Sequence, residues 1–559
     1  MDNFSILIGG KAGDGIDRAG LIIARIVNQL GYRLYIYRDY PSIIRGGHTF
    51  SIIRASKNKI GSHLNTVDFL LALNQDSVDF HKDRLKENSF VIYDSDQVKS
   101  ESLPADIQSL GLPLGKIVKE ENALPVMRNS CIIGAFCKAI GLEWEILESV
   151  FRKNITKGID LNLKVALRGY NEAKEYVKVE SLGRISLPVL TGNEAIGLGL
   201  IKGGLTAYIA YPMTPSSSLL HFLAQKSEDF SLKVIHPESE IAVILMSLGF
   251  SYAGQRVAAG TSGGGFCLMT EGLSLAGMAE LPVVIVIGQR PGPSTGVPTH
   301  TAQGDLHFAL NAGQGEFPRF LVSPGDAEDA YFWSCLALNI SWKYQIPSII
   351  LVDKSLCEGT YSFDIDSIKE LKEEEPILWD RKQSYKRYLD TETGISPLNF
   401  VPDKEAVVKV DSYAHDEFGI TTEDGEKIKN MQDKRLRKEK YLMKELETYK
   451  TVEVFGNESS PIALICWGSN KGVCIEAGDN LGLKVIYPVV LSPFPVKEIQ
   501  RSLDGIQNLI CVENNATAQL ASLINRYGFG VNEKILKYDG RPFSLDELEE
   551  RLKDAVSRL

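Results

Sequence analysis

The stretch 206–217, TAYIAYPMTPSS, is an apolar run of strand length, Thr206–Ala210, that stops on a loop fixed by Pro212 and Pro215 and resumes as a helical run through Leu219–Ala224. A strand without polar alternation buries both of its faces, and strands of this kind separated by helices imply a parallel sheet covered on both sides. The pattern recurs at Lys233–Ile235, Val257–Gly260, Pro282–Ile287 and Pro347–Val352. A doubly wound parallel-sheet domain is therefore expected over residues 190–360. In such sheets ligands gather at the carboxyl ends of the strands, where loops lead into helix N-termini that favour anions.

Four segments follow directly on those strand ends. Tyr211-Pro212-Met213-Thr214-Pro215-Ser216-Ser217 can hold the Thr214 hydroxyl over the sheet edge, although a plain capping turn explains the same residues. His236-Pro237-Glu238-Ser239-Glu240 puts carboxylates in a first helical turn, which the helix dipole favours without any function. Thr261-Ser262-Gly263-Gly264-Gly265-Phe266 lets backbone approach a ligand, or packs a helix closely on the sheet. Gly288-Gln289-Arg290, continuing through Pro291 and Pro293 to Thr299, sets an arginine in a rigid loop where it can grip a carboxylate or make a weak surface ion pair. Each segment alone has a structural explanation, but their coincidence at one sheet edge favours a ligand site.

The chain has 559 residues, 44% hydrophobic and 24% charged, with a formal charge of -10 and pI near 5.5. That is enough for several cores, and the acidic balance without a sustained basic run argues against nucleic acid or an anionic membrane as partner. No apolar stretch approaches the roughly 18 to 20 residues that span a bilayer, and the N-terminus runs straight into a strand, so a cytoplasmic protein is expected. The eight cysteines are scattered and contain no CxxC, which favours reduced, buried thiols and leaves no sign of an iron-sulfur ligand set in this chain.

Residues 1–180 read as another α/β unit: strand Phe4–Ile8, the glycine-rich turn 9–15, helix Ile16–Leu30, strand Arg33–Arg38, then strands at Phe69–Leu73 and Phe90–Tyr93. The turn has neither the Lys-Ser/Thr of a P-loop nor the spacing of a dinucleotide fingerprint. A linker is expected at Lys178–Pro188, and a helix start at Thr191-Gly192-Asn193-Glu194. Residues 361–455 are dense in charge and read as a solvated connector, including Glu373-Glu374-Glu375 and the run Lys434-Arg435-Leu436-Arg437-Lys438-Glu439-Lys440. Strands at Pro461–Trp467, Lys484–Tyr487 and Leu509–Glu513 mark a third α/β domain over 456–559.

With these segments in hand, the sequence resembles the 2-oxoacid:ferredoxin oxidoreductases. Tyr211-Pro212-Met213-Thr214-Pro215 is similar to that family's Tyr-Pro-Ile-Thr-Pro signature, and the similarity continues through Glu238-Ser239-Glu240, Thr261–Phe266 and Gly288–Gly296. Residues 1–180, with Arg45-Gly46-Gly47, resemble the gamma domain; the C-terminal part, with Trp467-Gly468-Ser469, Pro493-Phe494-Pro495 and Glu513-Asn514-Asn515, resembles the transketolase-C-like domain. A gamma domain fused ahead of the thiamine-diphosphate pyrimidine-binding domain resembles the alpha subunit of two-subunit enzymes, especially those acting on 2-oxoglutarate. Met213 departs from the usual isoleucine and Gly264 from a common proline.

The resemblance implies that Glu240 hydrogen-bonds N1′ of the aminopyrimidine, with Tyr211, Pro212, Thr261 and Ser262 against the cofactor. It also implies that Thr214, Arg290 and Thr299 orient the 2-oxoacid. Coenzyme A would take the acyl group. A beta subunit would supply Mg2+, the diphosphate site, a 4Fe-4S cluster and the route to ferredoxin, in an (alpha-beta)2 assembly. Pyruvate or a branched-chain 2-oxoacid is the alternative substrate, and a transketolase-like or decarboxylating enzyme without ferredoxin the alternative activity.

Overall fold

The computed structural model describes residues 1–42 and 46–559, so Arg45 of the Arg45-Gly46-Gly47 motif lies outside the described residues. By its contacts the chain divides into two compact units: residues 1–190 with 359–364 and 543–554, and the remainder.

In the first unit an eight-stranded sheet runs in the order Gln108–Leu112, Leu85–Asp94, Val67–Ala72, Asn3–Lys11, His48–Ser56, Arg33–Asp39, Thr360–Ser362 and Val189–Thr191. The first four are mutually parallel, whereas His48–Ser56 runs antiparallel between Asn3–Lys11 and Arg33–Asp39. This strand escapes a reading of the sequence because it carries Arg54. The guanidinium is buried, and is satisfied by Asn3 Oδ1 and the Ser62 carbonyl, both at 3.1 Å.

Against the sheet, helices Arg128–Ala139 and Ile159–Glu172 cross with their backbones in contact. A Cβ on Gly134 would lie 2.0 Å from the Ala166 carbonyl oxygen, and one on Gly169 2.0 Å from that of Cys131. Segment Lys178–Pro188 has no regular structure, yet it is strapped to this unit by Leu182 N–H donating to Leu30 O and Asn28 Nδ2 donating to Leu187 O. Residues 543–554 also join this unit, through Leu545 N–H to His63 O and the Asn65 and Thr66 N–H groups to the Asp546 carboxylate.

The second unit holds two sheets. The larger, of seven strands, runs Val490–Ser492, Phe320–Val322, Pro347–Asp353, Val283–Gln289, Val257–Ser262, Ala207–Ala210, Lys233–Ile235, and every pair is parallel except the first. The smaller runs Val452–Gly456, Lys484–Pro488, Ile462–Cys466, Asn508–Glu513, Glu533–Leu536, again parallel after its first pair. One apolar core is continuous between them, from Ile209 and Ile285 to Ile465 and Leu520. The helix expected at Thr191 begins there with a capping box between Thr191 and Glu194.

The charged run of the connector is only partly solvated, with Glu439 and Lys440 exposed. Helix Gly425–Leu446 buries Lys434, Arg435 and Lys438, and both lysines pair with the buried Glu280 at the end of helix Gly263–Ala279. Arg387 donates to the carbonyls of Ala279 and Glu280, and Lys438 to that of Gln345, so these cations satisfy the open C-termini of two helices. Charge density suggested a solvent face; the carboxylate and carbonyls that draw those side chains inward are more than 90 residues away in sequence. Among the described residues no helix is long and apolar enough to cross a membrane.

Candidate active site

Strands Ala207–Ala210, Val257–Ser262 and Val283–Gln289 are neighbours and parallel, so the loops that leave their carboxyl ends share one edge of the sheet. The loop at 211–216 is held down by Asn193, whose Nδ2 donates to Pro215 O at 2.9 Å and to Ser218 Oγ at 2.6 Å. Ser216 does not cap the helix Ser217–Gln225 with its side chain; its hydroxyl turns back to Met213 O at 2.8 Å. A simple capping turn therefore does not account for this loop, which is built to hold its own shape. Tyr211 stands half-exposed, edge-on to the His236 ring at 5.7 Å.

Glu240 is the first residue of helix Glu240–Tyr252 and is 4% exposed, while Glu238 is exposed. Its Oε1 is buried with no hydrogen-bond partner, and so is the hydroxyl of Ser262. Gly265 lets two of the oxygens approach its backbone closely: a Cβ there would lie 2.2 Å from Thr261 Oγ1 and 2.5 Å from Glu240 Oε1. Buried polar groups left unpaired cost about 1–3 kcal/mol each, so a carboxylate kept in this way is arranged for a donor that is not part of the chain. The aminopyrimidine of thiamine diphosphate, which offers ring nitrogen and amino groups, fits that requirement.

Arg290 reaches back across the edge and donates from Nη1 to the backbone carbonyl of Thr214 at 2.9 Å, while its Nε is buried without a partner. Burial lowers its pKa, and the carboxylate of Asp305 opposes that shift. The arrangement joins Thr214 to Arg290 and Glu240 to Thr261. Thr299 is buried as well, but among the described residues its hydroxyl meets His300 Nδ1 at 3.2 Å.

Asp305 is a member of the site that the sequence did not reveal. Its carboxyl is pushed up to about 6 by burial, against the pull of Arg290. Standing before the apolar run Leu306–Leu310, it reads as an ordinary helix cap. In the structure it makes no side-chain cap bond to helix Leu306–Asn311.

Comparison with known proteins follows the same lines. Residues 5–172 match the family described as "Pyruvate ferredoxin/flavodoxin oxidoreductase", and residues 198–434 match "Pyruvate flavodoxin/ferredoxin oxidoreductase, thiamine diP-bdg". The chain is 31% identical to the 2-oxoacid:ferredoxin oxidoreductase subunit alpha of Saccharolobus solfataricus, covering 99% of this chain and 98% of that one. It is 32% identical to the 2-oxoglutarate synthase subunit KorA of Archaeoglobus fulgidus over 42% of this chain and 68% of the relative. Its fold superposes on the 2-oxoglutarate:ferredoxin oxidoreductase of Magnetococcus marinus with 2-oxoglutarate, coenzyme A and succinyl-CoA bound, with a TM-score of 0.90, 29% identity and full coverage of both chains.

Proposed function

This chain belongs to the 2-oxoacid:ferredoxin oxidoreductase family, and from that premise we propose that it takes 2-oxoglutarate, with coenzyme A as acyl acceptor and ferredoxin as electron acceptor. The observation that carries the reading is the buried, unpaired Glu240 oxygen packed close on Gly265, with Arg290 tethered to Thr214 at the same sheet edge. Thiamine diphosphate, when bound, supplies the electron sink that loss of CO2 from a 2-oxoacid requires. Glu240 accepts a hydrogen bond from the pyrimidine ring nitrogen and fixes its tautomer. Thr261, Ser262, Tyr211 and Pro212 would lie against the cofactor.

Arg290 holds the substrate carboxylate by a charge-assisted contact, and Thr214 and Thr299 orient the keto oxygen. Relatives named for 2-oxoglutarate support that substrate over pyruvate or a branched-chain 2-oxoacid. In this reading residues 1–180 serve as the gamma domain, 190–360 as the pyrimidine-binding domain, 361–455 as a connector and 456–559 as the transketolase-C-like domain. A beta subunit brings the diphosphate site, Mg2+ and a 4Fe-4S cluster, forming an (alpha-beta)2 enzyme of the cytoplasm.

The test is an assay of the complex purified with its partner, using viologen, coenzyme A and a panel of 2-oxoacids. Viologen reduction that needs both 2-oxoglutarate and coenzyme A is expected. Reduction faster with pyruvate would reassign the substrate, and no reduction with any 2-oxoacid would refute the activity.

A further inference from the structure

Gln303 lies near the far end of the segment that carries Arg290 and Thr299, and it is fully buried although that segment, 290–305, holds no helix or strand. Its side chain plugs into the smaller, C-terminal sheet. Nε2 donates to the Trp467 carbonyl at 2.8 Å and, more weakly, to Asp353 Oδ2 at 3.5 Å. Oε1 accepts from Asn470 Nδ2 at 2.9 Å and from the Asn514 N–H at 3.0 Å. The backbone repeats the attachment: Gln303 N–H donates to Asn514 O at 2.8 Å, and Asn515 Nδ2 donates to Gln303 O at 3.1 Å.

A separate α/β domain would bind a ligand at this place. Strands Ile462–Cys466 and Asn508–Glu513 are parallel neighbours, and Lys484–Pro488 lies on the other side of Ile462–Cys466, so the carboxyl ends of the first two flank a switch point. Trp467-Gly468-Ser469 and Glu513-Asn514-Asn515 stand at those two ends. Gly468, at φ 55, admits the amide: a Cβ there would lie 2.8 Å from Gln303 Nε2. Glu513 fixes the receiving side chains, accepting from Trp467 Nε1 at 3.1 Å and from Asn515 Nδ2 at 2.8 Å. The crevice is filled by an amide of the chain itself.

We infer that Gln303 is a positioning residue, through which the C-terminal sheet sets where Thr299 stands for the substrate. The inference rests on the reading of Thr299 and Arg290 as substrate contacts. An irregular segment has many conformations, and holding one hydroxyl within it requires both ends to be fixed. The bond from Arg290 to Thr214 O fixes the near end. Gln303 fixes the far end, helped by Thr301 N–H on Gly540 O at 2.9 Å and Gln519 Nε2 on Gly304 O at 2.7 Å.

The test uses the complex purified with its partner and 2-oxoglutarate as substrate. Gln303→Met keeps the volume and loses the amide; it should raise KM for 2-oxoglutarate about tenfold or more, as misplaced binding groups do, with KM for coenzyme A nearly unchanged. Tyr487→Phe removes another hydrogen bond between the two sheets, from Tyr487 Oη to Ser323 O at 2.7 Å, but lies outside segment 290–305 and should leave both constants alone. Thr299→Val should raise KM in the wild type yet add less than about threefold to Gln303→Met, because the hydroxyl is already out of place. Equal effects of Gln303→Met and Tyr487→Phe, or a Thr299→Val effect that multiplies in full, overturn the inference. A measurement on the wild type needs no variant to fold: N-oxalylglycine, a 2-oxoacid analogue that resists decarboxylation, should slow hydrogen exchange over 299–305 and over 512–516 together. Slowing confined to 211–217 and 288–299 overturns the inference too. No slowing in those segments, or wild-type KM in Thr299→Val, refutes instead the reading of the substrate contacts on which it rests.

Discussion

Glu240 opens a helix, and an acidic residue in a first helical turn needs no function to explain it. What changes its meaning is the environment: the side chain is 4% exposed, one oxygen is unpaired, and the position it packs against is glycine, where a side chain would collide with it. Glu240→Gln should therefore lower turnover by about a hundredfold or more, as loss of an acid-base group does. Gly265→Ala should fall nearly as far, because the new methyl group would collide with Thr261 Oγ1 and Glu240 Oε1 and push them out of place. A circular dichroism spectrum like the wild type would show that the lost turnover is local. Near-normal rates in both variants would mean that this carboxylate is only a helix-end charge. Arg290 gives the same lesson, since it has an innocent reading in the sequence and a partner in space, the Thr214 carbonyl, that alters it.

Helix Gly425–Leu446 works by cations turned inward. Lys434 and Lys438 surround one carboxylate, Glu280, with Arg387 and Arg435 close by. Burial pushes the Glu280 carboxyl up, but Lys434, Lys438 and Arg387 outweigh it and hold the group well below the usual carboxylate range. Burial drives Lys438 down to about 7 against the attraction of Glu280. Because Glu280 ends the helix that begins at Gly263, this node fixes the far end of an element whose first turn borders the active site. Glu280→Gln would leave the lysines buried without their anion, a change that costs about 3–5 kcal/mol. Denaturant unfolding of the purified chain should show that loss, and a midpoint like the wild type would mean that water already reaches these lysines.

At the scale of the whole molecule, what the chain contains implies a partner. Its one Gly-Asp-Gly is Gly13-Asp14-Gly15, and Asp14 there is engaged by the Lys11 N–H and by Arg128. Seven of the eight cysteines are buried and all are free thiols. The chain expressed alone should reduce no viologen, bind thiamine diphosphate weakly and lack iron-sulfur absorption, as absorbance, dye-reduction and calorimetric measurements would show; activity or a brown colour in the pure chain would contradict the proposed beta subunit.

The parallel strands of the second unit, the capping box at Thr191 and the four segments at the sheet edge could be read from the sequence. These features depend on local periodicity and short-range hydrogen bonding, which neighbouring residues specify. Tertiary structure alone decided that Arg54, Lys434 and Lys438 are buried and that residues 543–554 join the first unit. In each case the deciding partner is distant in sequence, and whether a charged side chain is solvated or paired depends on what the fold places beside it.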